Sequence, residues 1–314
     1  MLRLNRREAL LASALAVVEG TRADAESGSV QQPPTGFIDA HSHIWSRDIQ
    51  TYPLANGNTL ADLQPPSFTA EELMKVARPL GIDRVVLIQH HPYHGWDNSY
   101  LTDTVKDSPD VFRVVGMVND AEPSPEIEMR RLLRQHVTSF RITPQLRGAS
   151  QWLTGPGMEA MWNCAAETRQ SMGCLINPED LPAVDQMCER FPETPVVIDH
   201  FARIGVDGEI RDSDVKKLCR LARHSHTYVK ISAFYALGKK KPPYDDLIPM
   251  IRRVYESFGP QRLMWASDCP YQLDGVNSYR ASLDLIRHRL EFLTEEDRNW
   301  LLRDTANNVY FADF

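Results

Sequence analysis

The chain has 314 residues, of which 42% are hydrophobic and 25% charged, a composition typical of a globular protein and unlike that of a disordered or fibrous chain. The formal net charge is -7 and no long basic run occurs, so nucleic acid is not expected as the main partner. No apolar run approaches the roughly 18 residues that a membrane-spanning helix needs. The five cysteines lack C-x-x-C spacing and indicate neither a disulfide framework nor a zinc knuckle.

The N-terminal segment has the order of features found in an export leader. Arg6 and Arg7 precede an apolar stretch from Ala9 to Val18, and Ala23-Asp24-Ala25 then supplies small residues in an A-x-A arrangement. The paired arginines resemble those of a twin-arginine leader. We therefore predict that residues 1–35 are a leader and linker and that the protein is periplasmic or exported. The alternative is a frayed tail on a cytoplasmic enzyme.

Eight short apolar runs alternate with longer stretches of helical period after the leader. The predicted strands are Phe37–Ile44, Arg84–His91, Phe112–Asn119, Val137–Thr143, Met172–Asn177, Pro195–Phe201, Tyr228–Phe234 and Arg262–Cys269. The predicted helices include Glu71–Leu80, Glu126–His136, Met158–Gln170, Leu181–Phe191, Ser213–His224 and Leu247–Phe258, with a final pair after the eighth strand. This alternation predicts an α/β fold, a single (β/α)8 TIM barrel over residues 36–314, with an open doubly wound sheet as the alternative.

Polar side chains mark the C-terminal ends of three predicted strands, where a barrel of this kind carries its active site. His41 and His43 end the first strand; being two residues apart, they point to the same side and can share one cation. His200 ends the sixth strand. Asp268 ends the eighth, which neighbours the first in a closed barrel. Asp268 is predicted to complete a metal site or to act as a general base, although an aspartate before a proline is also typical of a loop cap.

Two further strand ends carry cations, Arg141 on the fourth and Lys230 on the seventh. A buried cation is costly without a partner. Each is therefore predicted either to pair with an internal acid or to bind an anionic group of the substrate. The loop after the second strand is dense in hydrogen-bonding and aromatic groups, and we predict that Gln89, Tyr93 and Trp96 contact the substrate.

Taken together, these segments resemble the amidohydrolase-related, metal-dependent hydrolases of TIM-barrel fold, and within them the lactonase branch. The resemblance runs from about Phe37 to Phe311. It rests on Ile38-Asp39-Ala40-His41-Ser42-His43, Val197-Ile198-Asp199-His200, Val229-Lys230-Ile231-Ser232, Ser267-Asp268-Cys269-Pro270 and Asn307-Asn308-Val309-Tyr310. It implies that water opens the cyclic ester of a small carboxylated or sugar-acid substrate. The site residues implied are His41, His43, His200 and Asp268, with Asp268 accepting the proton of the attacking water.

Two departures from the wider family bear on the metal. Arg141 stands where many members carry a metal-bridging lysine, and Asn177 stands where many carry a ligand histidine. The resemblance therefore implies one divalent ion, with zinc suited to three imidazoles and a carboxylate. A metal-independent site, in which the histidines polarise the ester carbonyl directly, is the alternative.

Two other functions remain open from the sequence. A zinc-dependent, non-oxidative decarboxylase of an aromatic or unsaturated acid would use similar residues, although Lys230-Ile231-Ser232 looks more like the lactonases. A barrel that binds a sugar acid or a metal without catalysis is the second. The sequence indicates neither which lactone is the substrate nor the oligomeric state.

Overall fold

The structure is a computed structural model that describes residues 36–146, 148 and 151–312. The leader predicted for residues 1–35 lies outside the described residues. Eight strands are described: β1 (Phe37–Ser42), β2 (Ile82–Ile88), β3 (Phe112–Gly116), β4 (Val137–Ile142), β5 (Ser171–Cys174), β6 (Val196–Ile198), β7 (Thr227–Ile231) and β8 (Leu263–Trp265). All eight correspond to predicted strands.

The strands form one parallel sheet in which each pairs with the next along the chain, from β1 to β8. The residues that follow β8 close the circle onto β1. The backbone N–H of Asp268 donates to the carbonyl of His41 at 2.8 Å, and that of His43 donates to the carbonyl of Cys269 at 2.7 Å. This nearly closed barrel confirms the predicted (β/α)8 fold and excludes the open sheet.

The helices that lie between the strands are α1 (Ala70–Ala77), α2 (His91–His94), α3 (Ser99–Asp107), α4 (Pro125–Leu133), α5 (Pro156–Thr168), α6 (Leu181–Arg190), α7 (Asp212–Arg220) and α8 (Ile248–Phe258); α9 (Tyr279–Asp284) and α10 (Glu295–Asn299) follow β8. Helix α1 begins at a capping box formed by Thr69 and Glu72, which satisfies two backbone N–H groups reciprocally. Helices α2 and α3 are absent from the predicted set, because their residues lie in the polar stretch after β2. Among the described residues, no helix has the length and apolarity that a membrane span requires.

Two apolar layers explain why the sequences of the strands are continuously apolar and do not alternate with polar residues. In β2, Val86 and Ile88 belong to the cluster inside the barrel, whereas Val85 and Leu87 belong to the cluster between the strands and the helices. Both faces of the sheet are thus covered. Tyr310, near the C-terminus, packs into the interior cluster and is fully buried.

The polar ends of the strands leave the sheet earlier than predicted, because the backbone bends there. His200, Ala233 and Asp268 have φ values of 53°, 55° and 60°, in the left-handed region that few non-glycine residues adopt. Strand β8 therefore ends at Trp265 rather than at Cys269. These bends turn the chain from the sheet into the loops that carry the site.

Candidate active site

The three predicted histidines and Asp268 meet at the C-terminal mouth of the barrel. The Nε2 atoms of His41 and His43 lie 3.4 Å apart. Oδ1 of Asp268 is 3.4 Å from Nε2 of His41 and 3.6 Å from Nε2 of His43. Nε2 of His200 is 3.7 Å from Oδ2 of Asp268. The structure thus brings together residues from three strand ends, as the sequence predicts.

An irregularity in β1 helps to place His41. Ile38 and Ala40 belong to the interior cluster, so strict alternation would direct His41 to the outer face. The register of β1 against β2 shifts between Asp39 and Ser42, which breaks this alternation. His41 and His43, two residues apart and hence on one side, are thereby turned from the outer face toward the mouth of the barrel.

Each histidine has a partner for its Nδ1 atom, which leaves Nε2 for the site. Nδ1 of His43 donates to the Ile88 carbonyl at 3.0 Å, Nδ1 of His200 lies 2.8 Å from Oγ of Ser232, and Nδ1 of His41 lies 3.5 Å from Asp199. Burial lowers the pKa of all three imidazoles, that of His43 to about 3. They are therefore neutral, with Nε2 lone pairs directed at Asp268 and at one another.

A second buried group surrounds Asp199, which is absent from the predicted site. Its Oδ1 lies 3.1 Å from Nζ of Lys230, and its Oδ2 accepts a hydrogen bond from Arg141 at 3.0 Å. Burial opposes ionisation of this carboxyl, but the Lys230 ammonium holds its pKa well below the usual range. Arg141 also donates to Nε2 of His41 at 2.9 Å. The carboxylate thus balances both predicted cations.

Asp39 fastens the first and eighth strand ends to each other. Its carboxylate accepts hydrogen bonds from the backbone N–H of Ser267, from Oγ of Ser42 and from the hydroxyl of Tyr279, each at 2.8 Å. Burial raises the pKa of Asp39, and the Ser267 hydrogen bonds oppose this. The next residue after Ser267 is Asp268, so these bonds also fix the position of the candidate base.

Tyr235 holds the other side of that base. Its hydroxyl, on the loop after β7, donates to Oδ2 of Asp268 at 2.8 Å. Burial raises the pKa of Asp268, whereas His200 and the Tyr235 hydroxyl oppose the rise. No sequence signal points to Tyr235, because its contact depends on the path of a loop.

A cavity of about 370 Å3 opens above these residues. His43, His200, Asp268 and Tyr235 contribute to its walls. Its apolar lining includes Leu146, Leu175, Val206, Ala233, Ala236 and Leu237. The guanidinium groups that line it among the described residues belong to Arg141 and Arg203. Arg203, which follows β6 and is not in the predicted site, has no side-chain hydrogen bond or ion pair to the described part of the chain.

The five predicted substrate contacts divide into two groups. Gln89 and Arg141 line the cavity. Lys230 is 1% exposed and its ammonium faces Asp199. Tyr93 packs against Trp45, and its hydroxyl donates to the Asp62 carbonyl at 3.2 Å, while Trp96 is 37% exposed and packs against His91. The structure does not bring these last three to the cavity.

The donor set fits a single divalent ion. Four tetrahedral ligands at about 2.0–2.1 Å from an ion lie about 3.3–3.4 Å from one another. The three separations among His41, His43 and Asp268 are 3.4, 3.4 and 3.6 Å. His41 with Asp199 and His200 forms a second group of suitable side chains. An ion at the first group would replace the contact of Arg141 with Nε2 of His41.

Comparison with known proteins identifies one family and several similar hydrolases. The family model described as "Amidohydrolase" matches residues 38–312. A 4-sulfomuconolactone hydrolase of Rhizobium radiobacter is 28% identical over 76% of this chain and 77% of its own length. An L-fucono-1,5-lactonase of Burkholderia ambifaria is 28% identical over 74% of this chain and 80% of its own length.

One solved structure of similar fold contains zinc. It is an amidohydrolase from Burkholderia multivorans with bound zinc, with a TM-score of 0.72 and 19% identity, and the match covers 88% of this chain and 99% of that one. At this level of identity the likeness shows the fold alone.

Proposed function

The chain belongs to the amidohydrolase family, and we propose that it hydrolyses a small lactone that carries an anionic group. The observation that carries the proposal is the convergence of His41, His43 and Asp268 within 3.6 Å of one another beside a cavity with two guanidinium groups. Electrophilic groups, a base and anion-binding groups thus meet at one cavity. Relatives that hydrolyse lactones support the reaction class.

Asp268 is the general base in this proposal. Water held beside its carboxylate gives up a proton to Asp268 as the water oxygen bonds to the acyl carbon. The hydrogen bond from Tyr235 to Oδ2 fixes the carboxylate and leaves Oδ1 toward His41 and His43. The acyl C–O bond of the ring then breaks, and Asp268 returns the proton to the departing oxygen. The product is a hydroxy acid, or its keto tautomer where the departing group is an enol.

We propose one divalent ion, zinc, held by His41, His43 and Asp268 with His200 beside them. When bound, such an ion polarises the carbonyl and stabilises negative charge on its oxygen. The site favours binding of the ion because its imidazoles are buried and neutral, and their Nδ1 atoms are already hydrogen-bonded. The zinc-bound amidohydrolase of the same fold supports this choice of metal.

Arg141 and Arg203 are proposed to bind the anionic group of the substrate. Guanidinium groups pair with carboxylates or sulfonates through directed hydrogen bonds. Arg141 is held by Asp199, whereas Arg203 has no such partner among the described residues. The apolar side chains that line the same cavity suit the carbon skeleton of a small ring.

Metal analysis paired with a lactone panel tests the proposal. Protein purified without added metal is expected to contain close to one equivalent of zinc. Its hydrolysis of carboxylated lactones should fall after chelation and return when zinc is added. Full activity without metal would overturn the metal part of the proposal, and the histidines could then polarise the carbonyl directly only with protons on Nε2. Metal without hydrolysis of any lactone would overturn the proposal, and release of CO2 from an unsaturated acid would then favour the decarboxylase.

We also propose export through the leader at residues 1–35. Arg6, Arg7 and the apolar stretch that follows support it. Cell fractionation of the full chain, compared with a variant carrying lysines at both arginines, provides the test. Retention of the wild-type chain in the cytoplasm would contradict export.

A further inference from the structure

A second polar pair lines the cavity and has no part in the reaction as proposed above. Nε2 of His90 lies 2.6 Å from the hydroxyl oxygen of Tyr271. His90 follows β2, Tyr271 follows the eighth strand end, and both line the cavity. The His90 ring packs edge-on against His43, with centroids 5.1 Å apart. The pair therefore stands beside the candidate reaction centre.

The surroundings of His90 decide which ring nitrogen carries the proton. Its Nδ1 is buried and has no hydrogen-bond partner in the described part of the chain. A buried N–H without an acceptor is rarer and more costly than an unused lone pair. A proton on Nδ1 would be such an N–H group, so the ring carries one proton only. That proton belongs on Nε2, which donates to the oxygen of Tyr271.

This tautomer leaves the hydroxyl proton of Tyr271 available to the cavity. Because its oxygen already accepts a hydrogen bond, the O–H group is polarised and becomes a stronger donor. A phenol has an ordinary pKa of about 10, so the hydroxyl keeps its proton at neutral pH. Tyr271 is thus a neutral donor held in one orientation.

We propose that Tyr271 is a further catalytic residue, whose hydroxyl donates a hydrogen bond to the ring oxygen of the lactone as the acyl C–O bond breaks. His90 is its positioning residue. The inference rests on the proposed function. The proton that ends on the ring oxygen is the one that Asp268 took from water, so Tyr271 keeps its own proton and the step balances.

The ring oxygen of the lactone is the acceptor that remains for the Tyr271 hydroxyl. The histidines polarise the carbonyl oxygen, through their ion or directly. Oδ2 of Asp268 already accepts a hydrogen bond from Tyr235. A departing alkoxide is strongly basic and gains most from a donor placed where its charge develops.

Tyr271→Phe tests the role through the departing group. Two substrates are compared: a saturated γ-lactone carrying a carboxylate, which releases an alkoxide, and a 2-pyrone carboxylate, which releases a stabler enolate. Removing one preorganised donor typically lowers kcat by about 100-fold, which we expect for the γ-lactone, against less than about fivefold for the 2-pyrone. KM should change little, because the bond strengthens only as charge develops.

His90 variants separate positioning from packing. His90→Gln keeps an amide donor near the Nε2 position and should retain more γ-lactone turnover than His90→Leu. Tyr244→Phe is the matched control, since it removes a buried hydroxyl that accepts from Gln272, the neighbour of Tyr271. If Tyr244→Phe disorders the loop, the resulting loss of turnover should be equal for both lactones.

Three results would overturn the inference. An equal loss on both lactones in Tyr271→Phe would make the hydroxyl structural, and a loss under about threefold on the γ-lactone would remove its role altogether. A wild-type enzyme that hydrolyses neither lactone would overturn the proposed function and this inference together, so the two failures are distinguishable.

Discussion

Nζ of Lys230 lies 3.1 Å from Oδ1 of Asp199, and the ammonium is also 3.3 Å from Nδ1 of His41. This buried ion pair joins the seventh and sixth strand ends behind the candidate base and ligands. Removing one partner of such a pair leaves the other charge buried with less compensation.

Lys230→Met is therefore expected to lower the free energy of unfolding by about 3 kcal/mol or more. The double variant Lys230→Met with Asp199→Asn should lose less than the sum of the two single variants, because it removes both charges. Urea denaturation of the four proteins measures this coupling. Additive losses would show that the pair is not coupled.

Asp268→Asn keeps the volume of the side chain but removes the base. We expect kcat for lactone hydrolysis to fall by at least about 100-fold, with an unchanged circular dichroism spectrum. Asp185→Asn is the control, since Asp185 lies on α6 and pairs with Arg223 and His224. An Asp268→Asn enzyme with near wild-type turnover would exclude Asp268 as the base.

Tyr235→Phe removes the hydrogen bond to Oδ2 of Asp268. Loss of a bond to a charged acceptor predicts a fall in kcat of about tenfold with little change in KM. The bond favours the ionised carboxylate, so its loss raises the pKa of Asp268. Since the base acts when ionised, the acidic limb of the kcat/KM profile should move to higher pH. A profile identical to that of the wild type would show that Tyr235 does not act through Asp268.

Arg203→Met tests recognition of the anionic group. A hydrogen bond to a charged partner contributes about 1.5–3 kcal/mol, so kcat/KM for a carboxylated lactone should fall by about 10- to 100-fold. The neutral methyl ester of the same lactone should change by less than about threefold. Arg253→Met, on the outer helix α8 and paired with Asp212, provides a surface control. Equal losses on the acid and the ester would place Arg203 outside anion recognition.

The sequence alone predicted the barrel and the four polar residues that meet at its C-terminal mouth. Apolar runs such as Val85–Ile88 are set by local composition, and a parallel barrel brings its strand ends to one face whatever the loops do. Positions at the ends of strands therefore predict that four residues converge, namely His41, His43, His200 and Asp268. The C-terminal ends of the strands were predicted less accurately, because residues at positive φ such as Asp268 bend the chain out of the sheet early.

Only the tertiary structure decided what surrounds that centre. It paired Lys230 with Asp199, directed Trp96 away from the cavity and brought Arg203, Tyr235 and Tyr271 to its wall. These side chains lie on loops or meet across strands far apart in the chain, so their contacts depend on the path of the backbone and not on local pattern. A strand's periodicity fixes which side a residue faces, whereas the neighbour that it meets there is fixed by the packing of the whole barrel.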